Sequence, residues 1–145
     1  MNIMQMENGI MNITQKDREL LFKDLSARLP YYVRVKVWLK DGTTEEGVLD
    51  LEHNYADVLL DAFYYNKIKD IKPYLRPMSS MTEEEKEDYK DLLYCVKYGV
   101  DTATYITLFA VNMLTDWFNA HHFDYRGLIK KGLAIAVNEE NNPYK

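Results

Sequence analysis

The stretch VRVKVWLKDGTTEEGVLDLE, residues 33–52, decides the fold class. Val33, Val35, Val37 and Leu39 alternate with Arg34, Lys36, Trp38 and Lys40, a period of two that puts an apolar face and a basic-aromatic face on one strand. Asp41-Gly42 supplies the positive φ angles of a tight hairpin. Thr43 to Glu52 is then the return strand. Ala56 to Asp61 reads as a third strand after a turn at His53-Asn54-Tyr55. A fourth falls within Tyr64 to Lys72, although Ile68 and Ile71 break strict alternation.

Upstream of this β unit, Thr14 and Asp17 resemble a capping box with a shortened acid. Leu21, Leu25 and Leu29 follow at helical spacing until Pro30 stops the element. A helix is expected from Gln15 to Arg28. Met1 to Gly9 is polar, Met-rich and unpatterned, and the MNI at Met1 recurs at Met11. Residues 1–13 therefore read as a disordered leader, or translation starts naturally at Met11.

Downstream, Pro73 to Met81 carries prolines and a Ser-Ser pair that sustain neither ladder nor helix, so the chain changes character there. Residues 14–76 form the helix-plus-sheet unit, 77–82 the linker, 83–137 a helical unit docked on the sheet, and 138–145 a frayed tail. Thr82 with Glu85 makes a good capping box, and Glu83, Glu84 and Glu85 complement the positive end of the helix. Tyr89, Leu92, Leu93 and Val96 form its buried stripe, and Gly99 ends it. A longer helix runs from Asp101 or Thr102 to Ala120. Ile106, Phe109, Ala110, Met113, Leu114 and Trp117 share one of its faces and Leu108, Val111 and Phe118 widen it, a breadth that predicts core. Asp124 caps a short helix ending at Gly132, and Leu133, Ile135 and Val137 alternate as a last strand. The expected fold is α+β: an N-terminal helix with a small antiparallel, SH3- or Sm-like barrel-type sheet, then a C-terminal helical hairpin and a short terminal helix.

Composition narrows the function. The chain has 145 residues, 47% of them hydrophobic, enough for one modest core. Cys95 is the only cysteine, which excludes an internal disulfide framework and a cysteine-rich zinc site and fits a reducing cytoplasm. Among Leu92, Leu93 and Val96 it reads as a buried thiol. No apolar run reaches the ~18 residues of a membrane span. The net charge of −5 gathers in the second half: residues 1–80 carry 11 basic and 12 acidic groups, residues 81–145 carry 7 and 11. That argues against a broad nucleic-acid footprint and leaves room for a local one.

Three clusters are candidate sites. WFNAHHFDYRGLI, residues 117–129, concentrates His121, His122, Asp124 and Arg126. Adjacent histidines point apart on any regular element, and zinc needs three or four converging donors. The pattern reads as a helix end, with Asp124 capping the next helix and Arg126 paired to an acid, in place of a metal or hydrolytic centre. Asp116, His121 and Asp124 lining a small polar pocket is the sharper alternative. The second cluster is Lys67, Lys69, Lys72 and Arg76 interleaved with Tyr64, Tyr65 and Tyr74. With Trp38, these are components of a single-strand nucleic-acid surface, and equally of a solvated, protected sheet edge. The third is the run Glu83 to Asp88, a solvated helix start. The twelve tyrosines, many outside periodic core positions, favour a protein contact surface.

From Val33 to Asp61 the chain resembles the first half of an Sm-like small β-barrel: apolar strand, DG hairpin, second glycine at Gly47, and an Asn-containing turn. The resemblance implies a barrel-like sheet. The Sm-like RNA site uses an Asp and an Asn in that turn, where this chain has His53, Asn54 and Asp57, and no Arg-Gly pair closes the β unit, so RNA activity is not carried over. KPYLRPMSSMTEEE, residues 72–85, with HHFDYRGLIKKGLAI, residues 121–135, is similar to a family of small uncharacterised proteins of phages and mobile elements of gut bacteria. That resemblance implies a cytoplasmic accessory protein and no catalytic residue. The functional expectation is a non-enzymatic protein that binds a protein partner, without cofactor or metal. A nucleic-acid-binding module using the Lys/Tyr surface is the alternative.

Overall fold

A computed structural model describes residues 13–50, 55–102 and 104–145. Helix α1 (Gln15–Ala27) starts where the Thr14 hydroxyl accepts the Asp17 amide at 3.1 Å. It buries Leu21 and Leu25 completely. A 3-10 turn at Leu29–Tyr31, entered through Pro30, leads by a left-handed Tyr32 into strand β1 (Val33–Leu39). Here the alternation operates as expected: Val33, Val35 and Val37 are buried and Arg34, Lys36 and Trp38 lie half-exposed.

The connection to β2 (Thr44–Leu49) takes a positive φ only at Gly42, of 91°. The Leu39 amide donates to the Thr43 carbonyl, and the Asp41 carboxylate accepts both the amide and the hydroxyl of Thr43. Asp41 is thus a side-chain brace of a longer turn and not the first residue of a two-residue one. β2 pairs antiparallel with β1, Lys36 opposite Glu46.

The expected third strand, Ala56 to Asp61, is instead part of helix α2 (Tyr55–Phe63). Leu59, Ala62 and Phe63, spaced i, i+3 and i+4, are buried in the core, which gives this short apolar run a helical reason to exist. The turn expected at His53-Asn54-Tyr55 lies largely outside the described residues, as does the leader.

Strand β3 (Ile68–Leu75) pairs antiparallel with β1 and continues through Pro73 to Leu75, into the stretch from Pro73 expected to sustain no ladder. Leu39 pairs with Ile68 but Trp38 with Asp70, so Lys69 is an extra residue, a bulge that explains the broken alternation. The last strand is β4 (Ile135–Ala136), which pairs parallel with Tyr74 and Leu75. The sheet order is β2-β1-β3-β4. It is open and mixed, not the antiparallel barrel expected, because the chain between Pro73 and Leu133 returns to the free edge of β3 and runs along it in the same direction.

One core fills the space between α1, α2 and the sheet: Leu21, Leu25, Val33, Val35, Val37, Leu49, Leu59, Phe63, Ile68, Ile71 and Leu75, joined from the far end of the chain by Leu128 and Leu133. Each fully buried side chain of this type contributes about 1.5–3 kcal/mol relative to exposure.

Between β3 and β4 stand a 3-10 turn at Met78–Ser80 and two helices, α3 (Glu83–Thr102) and α4 (Thr104–Ala120). The Thr82 and Glu85 box forms as expected, with Glu85 accepting the Thr82 amide and Thr82 the Glu85 amide. Gly99 does not end α3, which runs to Thr102. Nor does a helix follow Asp124: residues 125–132 are turns. The Asp124 carboxylate accepts the Leu128 and Ile129 amides at 2.8 and 2.9 Å, so its capping chemistry is present on a looser scaffold. The tail does not fray, because Tyr144 inserts its ring against His122 and its hydroxyl between the Arg34 amide and the Tyr74 carbonyl.

Candidate interaction surfaces

The His121 to Ile129 segment is a joint where α1, β3 and α4 meet. Phe123 bridges Arg76 in parallel register, the Arg76 amide donating to the His122 carbonyl and the Asp124 amide to the Arg76 carbonyl. His121 closes α4, its Nδ1 2.9 Å from the Trp117 carbonyl and its ring tilted on Trp117. His122 has a φ of 62° and stacks on Tyr144 with ring centres 3.8 Å apart. Burial first, and then the nearby Arg28 and Arg76 cations, push its imidazole down to about 4, so it sits neutral within the fold.

Beneath the joint is a buried ion cluster. Asp24 receives two hydrogen bonds from Arg28 and one from Arg126, at 2.8, 3.1 and 2.9 Å, and Arg28 also donates to the Phe123 carbonyl at 2.8 Å. Arg126 lies over Tyr125, whose ring stacks on Phe118. Asp116 accepts the Tyr31 hydroxyl at 2.7 Å. The three side chains His121, His122 and Asp124 are therefore each engaged in a different structural contact. Among the described residues, no group of three or more His, Cys, Asp or Glu side chains is placed to hold a metal ion.

The Lys/Tyr candidates divide into two groups. Trp38 lies between Lys36 and Lys72, whose ammonium groups sit 5.3 and 5.8 Å from its ring centre. Lys36 and Lys72 are directly opposed across β1 and β3. Lys67 instead lies over Tyr65 at 5.7 Å, and Tyr65 packs edge-on with Tyr64 at the end of α2. The bulge at Lys69 lies between Lys67 and Lys72 along β3, and Tyr65, Lys67 and Lys69 are all exposed. Tyr74 is buried, and its hydroxyl donates to Glu46. Asp70, half-buried between them, has its carboxyl raised by desolvation against the lowering effect of Lys72.

The surface that sequence reasoning misses is on the helical hairpin. Core is expected along α4, yet Leu108, Phe109, Val111 and Met113 are 61, 67, 41 and 44% exposed. On α3, Leu93 and Tyr94 are 41 and 68% exposed, and Cys95, expected to be buried, is exposed as well. Of the described side chains on the two helices, Ala110, Phe118 and Asn119 are buried. The contacts fixing the hairpin to the body gather at its base: Arg76 with Glu85, Trp117 on Phe123, and Asp116 with Tyr31, while Tyr89 stacked on Trp117 ties the two helices together there. A signal for this exists in the sequence. No charged residue occurs from Thr104 to Thr115, and apolar residues there surround the helix, whereas a two-helix hairpin offers one seam in which to bury them.

No family model, curated protein or solved structure matches this chain. No helix among the described residues is long and apolar enough to cross a membrane.

Proposed function

We propose that this protein works by binding another polypeptide, as a non-enzymatic accessory component of the kind of phage or mobile element its two motifs suggest, and that the distal half of the α3–α4 hairpin is the binding surface. The observation that carries this reading is the exposure of six large apolar side chains, Leu93, Tyr94, Leu108, Phe109, Val111 and Met113, on the hairpin. A monomer rarely leaves contiguous apolar surface beyond a few hundred Å² in water, and aromatic and Met side chains with few charges mark the centres of protein interfaces. The scattered tyrosines, the protein-binding face expected from sequence, support it less. Tyr74 is buried, and Tyr64 and Tyr65 sit at the end of α2, on a different element from Tyr94.

The test is tagged purification, from cells of the native host, of wild type beside Phe109→Glu. A chain, of this protein or another, recovered stoichiometrically with wild type and lost with the variant supports the reading. Recovery of wild type alone, as a monomer, overturns it.

A second reading rests on Trp38 flanked by Lys36 and Lys72, which offers a ring for base stacking with cations for phosphate on either side. Binding of short RNA or DNA that weakens with salt and with Lys36→Glu plus Lys72→Glu supports it; binding indifferent to both removes it.

A further inference from the structure

We infer that the polypeptide covering the α3–α4 hairpin is a second copy of this chain, the two hairpins packing into a four-helix assembly about a two-fold axis. This rests on the reading of the hairpin as the binding surface and names its occupant.

Three observations point to a self-complementary contact. The first is charge. A two-fold interface sets each patch against itself, so a patch with a net charge meets its own sign. From Thr104 to Thr115 the helix carries no Asp, Glu, Lys or Arg. The acids of α3 other than Asp101 lie between Glu83 and Asp91, toward the opposite end of the hairpin, and in the sequence from Leu92 to Thr115 the one acid, Asp101, is matched in number by one base, Lys97. The distal half therefore carries no net charge to oppose self-association, and little of the charge pattern by which a different partner is selected.

The second is distribution. At about 100° per residue, Leu108 and Val111 fall on one side of α4 and Phe109 and Met113 on the other, with Ala110 buried between. A helix apolar on this many sides is stable with neighbours on more than one of them, the position a helix holds in a four-helix bundle and not in an isolated pair.

The third is area. Taking about 150–250 Å² for a large side chain and the exposed fractions above, the six residues present roughly 600 Å² of apolar surface. That is at the top of the range for the largest apolar patch on a monomer and approaches the ~800 Å² per partner of a standard stable interface.

Sedimentation equilibrium over a wide concentration range is the experiment, read together with hydrogen exchange of the α4 amides. Wild type is expected to reach twice its 17.1 kDa chain mass, with α4 amides exchanging more slowly as the dimer fills. Because the net charge of −5 repels between copies, added salt is expected to strengthen the association. Phe109→Glu and, separately, Leu108→Glu should each weaken it by about a hundredfold, the cost of facing an unpaired carboxylate into an apolar contact. Both side chains are exposed in the single chain, so circular dichroism of the dilute variants should match wild type. A wild-type chain that stays monomeric at every concentration overturns the inference, as does a dimer indifferent to both substitutions or one with unprotected α4 amides. The broader reading is judged separately. A monomer that still captures a different protein, lost with Phe109→Glu, sinks the second copy and keeps the hairpin as binding surface, whereas a monomer that captures none sinks both.

Discussion

The guanidinium of Arg76 donates to both carboxylate oxygens of Glu85, each at 2.7 Å, with its carbon 4.2 Å from the centre of the Phe123 ring. One side chain at the end of β3 thereby holds the first turn of α3 and the turn after α4. The hydrogen bond from Arg76, opposed by burial, lowers the Glu85 carboxyl to about 2. Its pKa is depressed in the folded state, so the unfolded chain takes up the proton first. The stabilisation is complete above the ordinary value of 4.5 and is lost as pH falls toward 2. Glu85→Gln should cost about 1–2 kcal/mol at neutral pH and flatten the acid decline within that window. Thermal unfolding of both proteins as a function of pH checks this; parallel acid limbs would dismiss it.

His122 makes a second pH dependence of distinct range. Its folded pKa of about 4 lies below the ordinary 6.5 because burial and two arginines oppose its charge. The unfolded state binds more protons between those values, so stability is full above pH 6.5 and declines as pH falls to about 4. His122→Asn, which tolerates the left-handed backbone, should remove that slope while losing the stack on Tyr144. The ring resonances of His122, followed by NMR, should not move until the pH is well below the ordinary histidine range; a midpoint near the ordinary value would contradict the buried environment.

Asp24 neutralises two arginines, one of them with no exposed surface. Asp24→Ala leaves the Arg28 guanidinium buried without its carboxylate and should cost about 3–5 kcal/mol. Asp24→Leu combined with Arg28→Met should recover much of that loss, since it removes the fully buried stranded charge and leaves only Arg126, which reaches solvent. Denaturant midpoints of the single and double variants give the comparison, and a double variant as unstable as Asp24→Ala would show that the pair supplies more than mutual neutralisation.

Tyr144 accepts the Arg34 amide at 3.0 Å and donates to the Tyr74 carbonyl at 2.7 Å, and burial raises its phenol to about 12. Tyr144→Phe keeps the ring on His122 and should cost about 1–2 kcal/mol through the two groups left unpaired. Tyr144→Ala should cost more by also losing the stack. Equal stability of Phe and Ala variants would mean that the ring contributes nothing.

Where a residue's structural role is local, the sequence shows it. The alternation in β1, the Thr14 and Thr82 caps, the breaker at Pro30 and the capping role of Asp124 are all legible, because each depends on a few neighbouring residues. α2 is easily misread because the six residues Ala56 to Asp61 are too short to separate the two periods, and their likeness to an Sm strand outweighs the spacing of Leu59, Ala62 and Phe63. The parallel pairing of β4 is invisible, since it joins Tyr74 and Leu75 to Ile135 and Ala136, far apart in the chain, and leaves no local trace. The expectation of α4 as core fails for a different cause. Breadth of an apolar stripe reports how much surface needs covering, and does not say whether this chain or a neighbour covers it. For the histidine motif, the sequence shows the residue types but not Asp24, Arg28 and Tyr144, the distant partners that explain their arrangement.

The hairpin enters the fold between two hydrogen-bonded neighbours, β3 and β4, with its feet anchored by Arg76 and Trp117, and among the described residues it adds no side chain to the main core cluster. It stands as an arm outside that cluster, joined to the body at its base. The far end of the arm can therefore change in length or sequence at little cost to the core beneath it, whereas the arm's first turn and last turn, which carry Glu85, Asp116 and Trp117, cannot.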